Sequence, residues 1–69
     1  MDIRTRFGKR LRALREDRGW SQEEFADRAG LHRTYVSAVE RGVRNPTLSV
    51  IERLATALGV SMAELVATL

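Results

Sequence analysis

The stretch QEEFADRAGLHRTYVSAVER, residues 22–41, decides the fold. Phe25, Ala26 and Ala29 recur at helical spacing, Gly30 interrupts the run, and Leu31, Val36 and Val39 begin a second apolar stripe. Two short helices joined through a glycine turn make a helix-turn-helix. With Val36 and Val39 turned inward, an advance of about 100° per residue points Thr34, Ser37, Ala38 and Arg41 outward. Arg33 stands in the first turn of the same helix. Such a face suits the major groove of DNA, where arginine reads guanine O6 and N7 and a hydroxyl donates or accepts at base edges. The methyl of Ala38 can meet a thymine methyl. The plainer reading of this face is a solvated side of an amphipathic helix.

Outward from this core motif, Gly19, Gly30, Gly42 and Gly59 each close a helical run, and five helices result. The first spans about Ile3 to Arg18, with Ile3, Phe7, Leu11 and Leu14 as its apolar stripe. Gly8 lies inside it, and nothing in the sequence accounts for a glycine there. Ser21 and Glu24 have the spacing of a capping box, and Trp20 and Phe25 that of a hydrophobic staple. Ser61 with Glu64, and Val60 with Leu65, repeat both devices. The third helix has its staple in Leu31 and Val36, but its cap is His32, a poorer choice than serine or aspartate. Thr47 caps the fourth helix, whose stripe is Leu48, Ile51, Leu54, Ala55 and Leu58. No alternating strand pattern, linker or repeat is present. The expected fold is all-α, a compact five-helix bundle forming one domain over residues 1–69.

Sixty-nine residues can bury only a marginal core, so help from helix packing and dimerisation is expected. Without cysteine there is no disulfide and no thiolate site, and one histidine cannot hold zinc alone. No metal and no cofactor are expected. Enzyme activity is excluded on similar grounds: there is no cysteine nucleophile and no carboxylate pair in a predictable cleft. No run approaches ~18 apolar residues, and the N-terminus lacks a signal-peptide core, which suggests a cytoplasmic protein without a membrane partner. The net charge of +3 is distributed in blocks. Arg4, Arg6, Lys9, Arg10, Arg12 and Arg15 oppose Asp2; an acidic segment follows; Arg33, Arg41 and Arg44 then oppose Glu40. Basic blocks suit a phosphate backbone, and they equally suit solvated helix faces. Around the groove-facing helix, Gln22 stands at a helix N-terminus, Tyr35 lies on the flank, and Arg41 and Arg44 follow, all as phosphate contacts. Asn45 before Pro46 is either a phosphate donor or a plain turn former.

Trp20-Ser21-Gln22-Glu23-Glu24-Phe25-Ala26, Gly30, Tyr35-Val36-Ser37, Glu40-Arg41-Gly42 and Asn45-Pro46-Thr47-Leu48 together resemble the Xre/Cro–cI repressor family. The likeness runs from about Phe7 to Leu65. Arg33 to Ser37 followed by Glu40 to Asn45 is especially similar to controller proteins of restriction–modification systems. The resemblance implies a lambda-repressor-like DNA-binding fold and a transcriptional regulator. It implies that Gln22 binds phosphate, that Arg33 and Thr34 read bases with Ser37, and that Arg15 and Glu40 form a partly buried ion pair between the first and third helices. The family pattern is departed from at His32, which is either a phosphate donor or a surface residue.

Two further surfaces carry expectations. Met62, Val66 and Leu69 fall at i, i+4 and i+7 on a helix read over residues 61–69, and they form either a homodimer interface or the edge of the monomer core. A twofold dimer would set two reading helices ~34 Å apart on a pseudo-palindromic operator. Glu23 and Asp27 lie one turn apart; they either offset a helix dipole or, by the resemblance, touch RNA polymerase in an activator. The competing functions are a prophage-type repressor, an antitoxin-like autoregulator, and a helix-turn-helix protein-interaction module without specific DNA binding.

Overall fold

The computed structural model describes residues 2–69. Five α-helices follow in order: α1 Ile3–Asp17, α2 Gln22–Ala29, α3 Arg33–Glu40, α4 Leu48–Leu58 and α5 Met62–Leu65. No strand occurs among the described residues. α1 packs on α3, α2 on both α3 and α4, and α4 on α5, within an envelope of 28 × 23 × 22 Å. The core they enclose is Phe7, Leu11, Phe25, Ala26, Ala29, Val36, Val39, Leu54, Ala55, Leu58 and Leu65. Every helix contributes to it, so no helix has a buried face without the others.

Each helix begins on a side-chain cap that accepts a first-turn N–H. Asp2 accepts from Arg4 N at 2.7 Å, and the Arg4 side chain bonded to the same carboxylate holds Asp2 below the usual range. Ser21 caps α2, Thr47 caps α4 and Ser61 caps α5. The reciprocal box forms only at α5, where the Glu64 carboxylate returns to Ser61 N at 3.2 Å. At α2 the expected box is half made. Glu24 N reaches Ser21 Oγ, but the Glu24 carboxylate pairs with Arg28 one turn on, because a cation offers more than a lone amide. α2 ends at Gly30, whose φ of 69° forms the turn into α3.

Gly8 has a clear reason. A Cβ there would lie 2.4 Å from the Glu40 carbonyl oxygen and 2.6 Å from that of Val39. The side chain is absent because the end of α3 lies directly on α1.

Three further expectations are corrected. Ile3 and Leu48, assigned to buried stripes, are 57% and 76% exposed. Both are the first residues of their helices, and the buried residues of α4 all lie in its C-terminal half. The last helix is one turn, Met62–Leu65, and turns replace it after that. The carbonyls left there are taken by arginines of α1: Arg10 donates to Glu64 and Leu65 O, and Arg6 to Leu69 O. Arg18 likewise holds Leu58 O at the end of α4, at 2.7 and 3.1 Å. Arg6 and Arg10 of the basic N-terminal block, and Arg18 after it, thus bond carbonyls at the ends of α4 and α5 and at the C-terminus.

Candidate nucleic-acid interface

α2 and α3 meet through Phe25, Ala26, Ala29 and Val36, all buried, and this contact fixes the angle between them. Their polar sides open on a cleft of about 410 Å³ lined by Ser21, Gln22, Glu23, Arg33, Thr34 and Ser37. Gln22, Arg33, Thr34 and Ser37, drawn from two separate runs of sequence, are thus brought to one surface. A smaller hollow of about 220 Å³ beside it is lined by Glu23, Asp27, Leu31, His32 and Arg33.

A buried polar network lies beneath the cleft. Arg15 forms a two-pronged ion pair with Glu40, Nε to Oε2 at 2.7 Å and Nη2 to Oε1 at 3.0 Å. The side chains are only 10% and 3% exposed. Arg15 Nη1 also donates to Trp20 O at 2.8 Å, in the loop before α2. The hydrogen bonds it donates to Glu40 drive the Arg15 guanidinium further above its ordinary value, so it stays charged. Gln22 completes the network by donating from Nε2 to Glu40 Oε1 at 3.0 Å. Its amide is held in place with a second N–H remaining as a donor, which is what a phosphate oxygen requires.

The exposed groups have looser partners. Arg33 Nη1 stands 3.6 Å from Glu23 Oε2, with both side chains about two-thirds exposed. Little energy holds such a pair, so Arg33 can leave it. Arg44 stacks over Tyr35 with its guanidinium carbon 5.4 Å from the ring centroid, and this holds a cation at the flank of α3. Arg41, at the C-cap of α3, is exposed, and Ser37 and Ala38 are half-buried. His32 caps α3: its Nδ1 accepts from Thr34 N at 3.1 Å and lies 2.8 Å from Thr34 Oγ1.

Other candidates lie elsewhere. Asn45 borders an apolar groove of about 390 Å³ with Ile3, Arg4, Phe7, Pro46, Ile51, Val66 and Leu69. Val66 and Leu69 share that groove, while Met62 is half-buried against the core. Asp27 faces the hollow beside His32. Two contributors escaped the sequence reading. Arg53 of α4 donates to Gly30 O at 3.2 Å and braces the turn between α2 and α3. Glu23 stands beside Arg33 as a loose exposed partner. Both contacts join residues far apart or on different helices, and no spacing rule signals them. No cluster of side chains able to hold a metal ion occurs among the described residues, and no helix is long and apolar enough to cross a membrane.

A family model described as Helix-turn-helix matches residues 11–65. The chain is 52% identical over 64 residues to a hypothetical transcription factor of Neisseria meningitidis, covering 93% of this chain and 60% of that protein. It is 45% identical over 65 residues to the control protein C.BamHI of Bacillus amyloliquefaciens, covering 93% of this chain and 80% of that one. Its fold is similar to the crystal structure of the restriction–modification controller protein C.AhdI from Aeromonas hydrophila, with a TM-score of 0.87, 52% identity, and 90% of each chain covered.

Proposed function

This chain belongs to the helix-turn-helix family and is a DNA-binding transcriptional regulator, similar to restriction–modification controller proteins; on that premise we propose that it acts as such a controller, gripping a pseudo-palindromic operator as a homodimer in the cytoplasm. The family is one of regulatory DNA-binding proteins, not of enzymes. The observation that carries the proposal is the cleft of Gln22, Arg33, Thr34 and Ser37 over the Arg15–Glu40 pair. It offers a pre-positioned phosphate donor beside exposed groups able to read base edges.

In this reading Arg33 leaves Glu23 for a guanine, and Thr34, Ser37 and Ala38 meet neighbouring bases. Gln22, Tyr35, Arg41, Arg44 and His32 hold the backbone on either side. Asn45 joins them only if the DNA reaches the loop between α3 and α4. Residues 1–69 serve as one DNA-binding domain, with Met62, Val66 and Leu69 at the twofold joint. Glu23 and Asp27 border the reading surface, where an RNA polymerase subunit on the same DNA could touch them.

Selection of bound sites from random DNA tests the proposal. Two inverted half-sites with centres ~34 Å apart, or a multiple of that, are expected. Arg33→Ala is expected to cost ~1–3 kcal/mol and to relax one base position, whereas Gln22→Ala weakens all sites alike. Recovery of no common sequence, with binding only at Kd of ~10⁻⁴–10⁻⁶ M, would leave a protein-interaction module as the function.

A further inference from the structure

The cap of α3 imposes a direction on a neighbouring hydroxyl. Thr34 N is a backbone amide and can only donate, so its 3.1 Å bond to His32 Nδ1 requires a lone pair on that nitrogen. The ring proton then sits on Nε2. Thr34 Oγ1 lies 2.8 Å from the same Nδ1. An unprotonated nitrogen cannot donate, so the hydroxyl must be the donor in this contact as well. Its proton points back at the ring, and only oxygen lone pairs face the cleft.

We propose that His32 is a specificity-determining residue: by fixing the Thr34 hydroxyl as a hydrogen-bond acceptor, it makes Thr34 select a base that presents an amino group, cytosine or adenine, over one that presents only acceptors. This rests on the reading of Thr34 as a base contact. In the major groove cytosine N4 and adenine N6 donate, whereas guanine O6 and N7 and thymine O4 accept.

The charged groups around the ring are Glu23 and Asp27 on α2 and Arg33 on α3, with Arg53 of α4 at the Gly30 carbonyl of the same turn.

Two measurements test this. Nitrogen NMR of the imidazole in the DNA-free protein at about pH 8 is expected to show the proton on Nε2; a proton on Nδ1 overturns the proposal whatever the DNA result. Binding to a selected operator, with every base substituted in turn, is then compared across variants. In wild type one position in each half-site is expected to prefer cytosine or adenine on the order of fivefold. His32→Asn, whose side-chain oxygen still accepts at the cap, keeps that preference. His32→Ala, which frees the hydroxyl to donate, loses it, as does Thr34→Val. A preference that survives in His32→Ala, or a wild-type preference for guanine or thymine at the position that Thr34→Val relaxes, overturns the proposal. If no selective operator exists, the DNA-reading proposal fails instead, and the ring tautomer remains testable by itself.

Discussion

Glu40 accepts from Arg15 Nε on one oxygen and from Arg15 Nη2 and Gln22 Nε2 on the other. Removing either partner of the ion pair strands a buried charge. Arg15→Ala and Glu40→Ala are each expected to lower stability by ~3–5 kcal/mol, read from urea unfolding. If the two differ little from wild type, the pair is more hydrated than its burial indicates. Glu40→Ala also releases Gln22, so the fraction that stays folded should bind every DNA sequence more weakly. The sequence carried half of this. The family resemblance pointed to Arg15 and Glu40, but the bond from Gln22 to Glu40 joins different helices and leaves no periodic trace. His32 was similarly half legible: its place at the cap was plain, while the ring nitrogen it uses depends on a rotamer set in three dimensions.

At the scale of helices, periodicity and caps were the readable part. Phe25, Val36, Val39, Leu54 and Leu65 are buried where their spacing put them. Ile3 and Leu48 were not predictable, because spacing assigns a face but not how far along a helix its neighbours extend. Gly8 records a contact between helices. Gly8→Ala would raise intrinsic helix propensity by ~1 kcal/mol. It would also drive a methyl into the backbone carbonyls of Val39 and Glu40, which cannot move without shifting α3. A net loss of ~1–3 kcal/mol is expected, lowering Tm by about 4–8 °C for each kcal/mol in a domain of this size. A Tm equal to or above wild type would mean that α1 and α3 separate easily. The extent of the last helix was the least legible element, since its final carbonyls are closed by Arg6 and Arg10 from the far end of the chain.

The whole molecule keeps an apolar groove on one side, lined by Ile3, Phe7, Pro46, Ile51, Val66 and Leu69. If dimerisation covers it, stability depends on protein concentration. A tenfold increase contributes as much as about 1.4 kcal/mol per dimer, seen as a rise in Tm. Val66 is 38% exposed in the single chain, so Val66→Glu should abolish that rise without unfolding the protein. A Tm that is flat over a hundredfold concentration range would rule the dimer out. The engagement of the arginines has a last consequence, for ions in solution. The chain carries 12 lysines and arginines, yet Arg6, Arg10, Arg15, Arg18 and Arg53 are bonded to backbone carbonyls or to the buried Glu40 carboxylate, and Arg4, Arg12 and Arg28 lie on α1 and α2 beside carboxylates that offset part of their charge. Few cations remain to displace condensed counterions from DNA. At about −0.9 in log K per log salt for each neutralised phosphate, Arg33, Arg41 and Arg44 give a slope of roughly −3 per protomer. The protein should therefore keep its grip on DNA across changes in ionic strength that would strip off a regulator with its whole basic complement facing outward.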